Sequence, residues 1–322
     1  MKQLLATFTL IGLGAMVLSG CGNYSNDDLE FLDALPQRSA VQVNVPQNGN
    51  ALTAGEAPLY TLTVANGEGS NQFAEQLLGA IDLIRTLPPS KRTIDSRTWG
   101  PFDDHSAPGF EDQFVLTRID EHFEFELDER KKAMPANKFV AWISGAFYTE
   151  SAEAGHGTIL LDLDALKQIG RTSATPDAGL ANLHQATIVY FNDLTPREVN
   201  TTLDGVDNDG GPVHISTEYQ ENADHSGQMS FDLYDDFNGD GSQEFLQIFS
   251  RWDSTGAGRA DSSMSQGTLA ALGVHDTTAE CWDAHFAETY FNSELVSDAT
   301  QQVVNDQGLD CGVDGHGPCP DG

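Results

Sequence analysis

Apolar and polar positions fall into three patterns along the chain. Residues 4–18 form an uncharged apolar run. In residues 71–86, Phe73, Leu77, Ala80, Ile81 and Ile84 share one helical stripe, and Leu87-Pro88-Pro89 closes it. That spacing predicts an amphipathic helix with one buried face. From residue 110 onward apolar and polar residues alternate in short runs. The clearest is "HFEFELDER" (122–130), in which Phe123, Phe125 and Leu127 alternate with charged neighbours, the period-2 mark of a half-buried strand. Similar runs occupy 110–119, 138–149, 157–166, 185–194, 197–206, 213–221, 227–236, 244–252 and 258–269. Turn residues separate nearly all of them. Sequential strands with short links predict a mainly β fold: an antiparallel meander forming a half-barrel, barrel or sandwich, with the one amphipathic helix packed on it.

Ahead of these lie weaker signals. "SNDDLEFLDALP" (25–36) reads as a brief helix, with a capping-box pair Ser25 and Asp28, Leu29 and Leu32 on one face, and Pro36 as the stop. "AVQVNVP" (40–46) alternates like a strand, and 57–69 is ambiguous between strand and helix. Self-similarity at a fixed period is not evident.

The first apolar run follows Met1-Lys2-Gln3 and is short for a membrane-spanning helix, which needs ~20 residues. It is expected to be an export signal, residues 1–20, removed on secretion. Its end, Leu18-Ser19-Gly20-Cys21, resembles the lipobox of bacterial lipoproteins. The resemblance implies that Cys21 is acylated and becomes the mature N-terminus, and Gly22 rather than Asp after it favours the outer membrane. Several acyl chains, at ~0.8 kcal/mol per buried CH₂, hold firmly where one would not. Residues 21–26 are then a tether, 27–300 the β domain with a possible internal boundary at 172–184, and 301–322 a mobile Gly- and Pro-rich tail.

Composition narrows the function. The formal charge is −33 with only 16 Lys and Arg. Such a surface repels phosphates, which excludes nucleic acid and anionic lipid headgroups as partners. Membrane contact is expected through the lipid alone. Hydrophobic content of 39% is enough for a core. With Cys21 lipidated, Cys281, Cys311 and Cys319 remain, and export makes a disulfide plausible. Cys281–Cys311 is the favoured pair, Cys311–Cys319 the alternative.

The best candidate for chemistry is "DDFNGDGSQEF" (235–245). Asp236, Asn238 and Asp240 stand at positions 1, 3 and 5 of a calcium loop, Gly241 at the sharp-turn position, Ser242 at 7 and Glu244 at 9. Strand-like flanks and Gln247 at position 12 argue against an EF-hand. The stretch resembles the calcium-binding hairpin loops of integrin α-chain propeller blades, which implies ligands from Asp236, Asn238, Asp240 and Glu244 and from the Ser242 carbonyl. A plain Asn-Gly hairpin turn is the alternative. "DGVDNDGG" (204–211) is a looser acidic turn. Calcium is the one cofactor expected, if any.

No linear catalytic motif is present: no GxSxG, HExxH, Walker loop or GxGxxG. Trp99, Trp142, Trp252 and Trp282 are expected to pack the sheet, and Arg251 and Arg259 in "RWDSTGAGRAD" to pair with acids. That segment, with "NYSNDDLEFLDALP", "WGPF" (99–102) and "AECWDAHF" (279–286), resembles uncharacterised lipoproteins of myxobacteria. The resemblance implies a shared fold and anchor and carries over no activity. The expected function is an envelope-anchored, non-catalytic lipoprotein that binds a hydrophobic ligand or a protein partner. A calcium-stabilised surface module and an envelope hydrolase are the alternatives.

Overall fold

The computed structural model describes residues 24–47, 57–105, 107–149, 155–171, 183–206, 211–237 and 241–297. The expected signal segment 1–20, Cys21, most of the expected tether, the 172–182 part of the expected boundary and the tail 301–322 lie outside these residues.

The β domain is one antiparallel meander. Its strands are β1 (Lys91–Arg92), β2 (Ser96–Asp103), β3 (Phe110–Ile119), β4 (His122–Lys131), β5 (Val140–Thr149), β6 (Gly155–Asp162), β7 (Leu183–Phe191), β8 (Arg197–Val206), β9 (Pro212–Glu221), β10 (Gly227–Asp235), β11 (Glu244–Trp252), β12 (Gly258–Gln266), β13 (Val274–Trp282) and β14 (Glu288–Ser297). Each pairs with its chain neighbours in a single sheet ordered β1 to β14. The first and last strands do not meet, so the sheet is open, neither a closed barrel nor a sandwich. Among the described residues five helices accompany it: α1 (Asn26–Ala34), α2 (Arg38–Val41), α3 (Pro58–Ile84), α4 (Leu163–Gln168) and α5 (Gly267–Leu272).

The core lies between one face of the sheet, here the inner face, and α1 to α3. Alternation puts Trp99, Phe114, Phe125 and Phe147 on that face of β2 to β5, where their rings form a ladder with centroids 5.7, 5.7 and 5.1 Å apart. Gly145 makes room for it: a Cβ there would overlap the Phe125 ring and sit 2.5 Å from the Thr158 carbonyl. All four tryptophans are buried.

Helix α3 runs across the strands rather than along them. Near its start Leu59 and Tyr60 bond Glu280 of β13. Further on, Thr63 meets Ser250 of β11 (2.6 Å) and Asn66 meets Thr217 of β9 (3.2 Å). Just past its end the Leu87 carbonyl accepts from Trp99 Nε1 of β2 (2.7 Å). The helix is 27 residues, roughly 40 Å at ~1.5 Å per residue. From β13 to β2 are eleven strand spacings, about 53 Å at ~4.8 Å each. The sheet must bow around the helix for both ends to touch it.

The expected helix at 71–86 is thus the second half of a longer one. Residues 57–69 resolve as helix because α3 is braced from outside. Ala57 offers no side-chain cap, and Glu280 supplies one instead. The expected strand at 40–46 is not a strand. It begins in α2 and continues as an extended lash on α3, where the Asn71 side chain accepts from Val43 N (2.7 Å) and donates to Val43 O (2.8 Å) as a neighbouring strand would. Val43 and Val45 are buried between polar neighbours. The alternation therefore records an extended segment with one covered face. Helix α1 has the expected capping box, but Leu29 is exposed at 47%, and the covered face is Asp28, Phe31 and Leu32. The runs at 157–166 and 258–269 end early, as α4 and α5 begin.

Candidate functional site

The calcium-like loop joins β10 to β11, so its flanks are strands as expected. Asn238 and Asp240 lie outside the described residues. Gly241 has φ +92°, the conformation the sharp-turn position demands, and its N–H donates to Asp236 Oδ2 (3.0 Å). Glu244 is wholly buried, and its Oε2 accepts from Phe237 N (3.0 Å). Two of the sequence-derived ligands thus shape the loop itself. Among the described residues no group of three or more His, Cys, Asp or Glu side chains is arranged to hold a metal ion.

The opposite end of the sheet carries three hairpin turns of one design. Asn222 N donates to Ser226 O, Asp253 N to Ala257 O and Asp283 N to Ala287 O, at 2.8 to 3.1 Å. The fourth residue of each turn has positive φ: His225 (67°), Gly256 (89°) and Phe286 (65°). Positive φ is unfavourable for a bulky residue. Phe286 is held there by stacking on Tyr60 (4.7 Å, 12°). The Trp252 ring lies over Gly227 and the Trp282 ring over Gly258, its register partner in each case. The repeated Trp-Asp at 252–253 and 282–283 is the signal that a search for a fixed period missed, because the first turn lacks the Trp.

Between these turns and the lash opens a cleft of about 480 Å³, lined by Asn44, Glu221, His225, Thr255 and Phe286 among others. Glu221 is its buried centre. It accepts from Tyr219 OH (2.8 Å), Arg197 Nε (2.7 Å) and Asn44 Nδ2 (3.2 Å), and lies 2.9 Å from His225 Nδ1. Burial pushes this carboxyl up, but His225, Tyr219 and Arg197 outweigh it and hold it below the usual range. An acid orienting an imidazole is two-thirds of a catalytic triad. The neighbouring hydroxyls are engaged elsewhere: Ser226 Oγ donates to Asp224 and Thr255 Oγ1 to Asp253, both at 2.6 Å. The His225 side chain is 83% exposed. Arg197 also donates to the carbonyls of Ser39 and Gln42. The geometry is that of a staple fixing the lash to β8 and β9.

A second buried cluster sits inside the sheet near the turn between β2 and β3. Asp112 and Glu129 are register partners. Arg171 contacts Glu129 (2.5 Å) and Asp104 (2.7 Å). Two carboxyls share this guanidinium, and Asp112 lies close enough to feel its charge. Burial first, then Glu129 and Asp104, push Asp112 up to about 8, so it is a neutral acid at pH 7. Arg171 is thus paired with the two other carboxyls, Asp104 and Glu129.

The two edges of the sheet differ. β1 is two residues long, Lys91 and Arg92, a short charged edge of the kind that resists further pairing. β14 has ten residues and is exposed or half-exposed at every one. Phe291 pairs in register with the inward-facing Glu280. It and Leu295 therefore lie on the inner side, yet they are 49% and 66% exposed. The polar sequence of β13 and β14 gave no clear strand signal.

No family model matches this chain, and neither a curated protein nor a solved structure matches it.

Proposed function

We propose that the protein is an envelope-anchored lipoprotein whose β domain is a non-catalytic binding module, and that it takes a protein partner by strand addition at β14. The single observation that carries this is the asymmetry of the edges. One edge is two charged residues long, while the other is a ten-residue strand, exposed or half-exposed throughout, that carries Phe291 and Leu295. An extended segment docking there gains main-chain hydrogen bonds from the edge and specificity from alternate side chains. Glu288 and Glu294 on β14 favour a partner segment with basic residues. A hydrophobic small molecule is the weaker option. The inner face is filled by α1, α3 and the lash, and the clefts at the turns are rimmed by Asn, Asp, Gln and Ser side chains.

The test is a photo-crosslinking residue at Leu295, compared with one at the still more exposed Ile94 beside β1, in cells making the lipidated protein. A discrete protein adduct is expected at Leu295 alone. Phe291→Lys with Leu295 left in place should abolish it without lowering the melting temperature, since the ring is half in solvent. An adduct that survives Phe291→Lys, or equal labelling at Ile94, rejects the proposal. Membrane release on Cys21→Ala tests the anchor separately.

A structural calcium at 236–244 is a compatible reading, favoured by the Gly241 conformation and by the bond its N–H donates to Asp236. A ligand that binds only the folded state raises stability by about 2.7 kcal/mol at a hundredfold excess over its Kd. Millimolar calcium is therefore expected to raise the melting temperature and EDTA to reverse it. An unchanged melt discards the ion and leaves the binding reading intact.

A further inference from the structure

The end of the sheet that carries the three matched turns also carries the β1–β2, β3–β4 and β7–β8 turns and the last residues of β5. Each of these four places shows water a large apolar side chain: Ile94, which is 82% exposed, Ile119, Leu194 and Tyr148. Leu29 on α1 is exposed as well. Among the described residues the three matched turns show none, and carry Asp224, Asp253 and Asp283 instead. On the outer face behind the apolar tips, His122, Tyr148, His156 and Phe191 stack across β4 to β7 with centroids 4.9, 4.8 and 5.8 Å apart. Rings that join an apolar body to a polar tip collect where water meets lipid. Past Phe191 the same register line turns polar, through Glu198, Gln220, Gln228 and Arg251. It then runs by way of Arg259 to Cys281, which is buried and disulfide-bonded. The chain enters at the apolar half. Ser25 N donates to Asp28 Oδ2 (3.0 Å), Asp28 Oδ1 accepts from Arg97 Nε (2.6 Å), and Arg97 Nη1 donates to the carbonyl of Thr93 (2.7 Å), next to Ile94.

We infer that this half of the rim, Ile94, Ile119, Tyr148 and Leu194 with Leu29 beside them, rests directly on the bilayer and holds the domain tilted, with β14 lifted into water. The inference rests on the lipid anchor at Cys21 proposed above. Three observations select a bilayer as the occupant. The leash is short: Cys21 is four residues before Ser25, at most about 14 Å of chain, so an acylated Cys21 keeps Ile94 within reach of the headgroups. The tips are spread out: β2 to β7 spans five strand spacings, about 24 Å at ~4.8 Å each. Single apolar side chains set at such intervals suit a fluid, planar phase, whereas a protein groove needs a continuous patch. The charge is locally relieved: residues 90–99 hold Lys91, Arg92 and Arg97 against one acid, Asp95, in a chain of net charge −33. The acidic half of the rim, which phosphate headgroups repel, is the half that tilts away. The tilt also sets β14, on the far side of the sheet from the anchor, where a partner can reach it.

The test places the lipidated mature protein in phosphatidylcholine vesicles with and without bromine on the acyl chains, and reads added tryptophans, the four native ones being buried. Ile94→Trp and Leu194→Trp should each add emission in plain vesicles and lose it in brominated ones, because a side chain seated at the interface reaches about 5–10 Å into the headgroup and acyl boundary. His285→Trp, on the third matched turn, and Leu272→Trp, on α5 at the other end of the sheet, should keep theirs; both positions are exposed. Flotation with the vesicles reports the anchor itself. Failure to float overturns the anchor and the seating with it. Flotation with Ile94→Trp unquenched, or with His285→Trp quenched as strongly, overturns the seating and leaves the anchor intact. A photo-crosslinker at Ile94 then captures lipid and no protein, so the partner test at Leu295 reads separately.

Discussion

Asp28→Ala is expected to lower folding stability by about 3–5 kcal/mol, the loss typical when one member of a buried ion pair is removed. Asp28 is fully buried, and Arg97 beside it is 4% exposed. Arg97 Nε donates to its Oδ1 at 2.6 Å, Arg92 Nε reaches both oxygens at 3.2 and 3.0 Å, and Ser25 N donates to Oδ2 at 3.0 Å. The alanine variant strands a guanidinium inside the protein, next to the ring of Phe31 at 4.2 Å, and opens the capping box of α1. Burial alone would push this carboxyl up. The Ser25 N–H and the two arginines outweigh it and hold it down to about 2. The urea midpoint should fall accordingly. Adding Arg97→Met to Asp28→Ala should recover part of the loss, because the unpaired charge is then gone. No recovery would mean that the cap and packing, not the charge, account for the effect.

The melting temperature is expected to peak near pH 4–5 and to decline on both sides. Asp28 sets the acid limb. Its carboxyl releases its proton more readily when folded, so its stabilisation is present above about pH 4 and is lost as pH falls toward 2. Glu280 and Asp112 set the alkaline limb with the opposite sign. Burial, only partly offset by the N–H groups of Leu59 and Tyr60, pushes Glu280 up to about 7. The folded chain then binds that proton more tightly than the unfolded chain. Stability is greatest below the ordinary glutamate range near 4.5 and falls as pH rises to 7. At ~1.4 kcal/mol per pH unit this amounts to about 3 kcal/mol. Asp112, raised to about 8, extends the decline. Glu280→Gln should lessen the slope between pH 4.5 and 7, and Asp112→Asn the slope across the whole span from about pH 4 to 8. A melting temperature that climbs steadily from pH 5 to 8 would contradict the assignment.

The middle of the sheet was readable from the sequence for a simple reason. β3 to β12 bury one face against helices and show the other to water, so Phe123, Phe125 and Leu127 announce themselves. What escaped was whatever depends on a distant partner. The first half of α3 contains Thr61, Thr63, Asn66, Gly67 and Gly69, poor helix formers. It is helical because Glu280, Ser250 and Thr217 meet it from strands far along the chain. β2 is interrupted at Gly100-Pro101, where its register with β3 shifts. β13 alternates little because Glu280 and Trp282 are its inward residues, and β14 because it buries no face. At the candidate sites, the acidic loop was visible as donor spacing. The Glu221 staple was not, since Asn44, Arg197, Tyr219 and His225 converge on it from separate elements.

Pairing each strand only with its chain neighbours lets the sheet grow in the order in which the chain is synthesised, with short loops to close at most steps. The cap of α3 breaks that order: Leu59 waits for Glu280, 221 residues later. A nascent chain can therefore assemble most of its hairpins while its longest helix still lacks a terminus. Completion of the molecule is decided by its penultimate strand, and a chain cut short before residue 280 is left with the pieces aligned and the keystone missing.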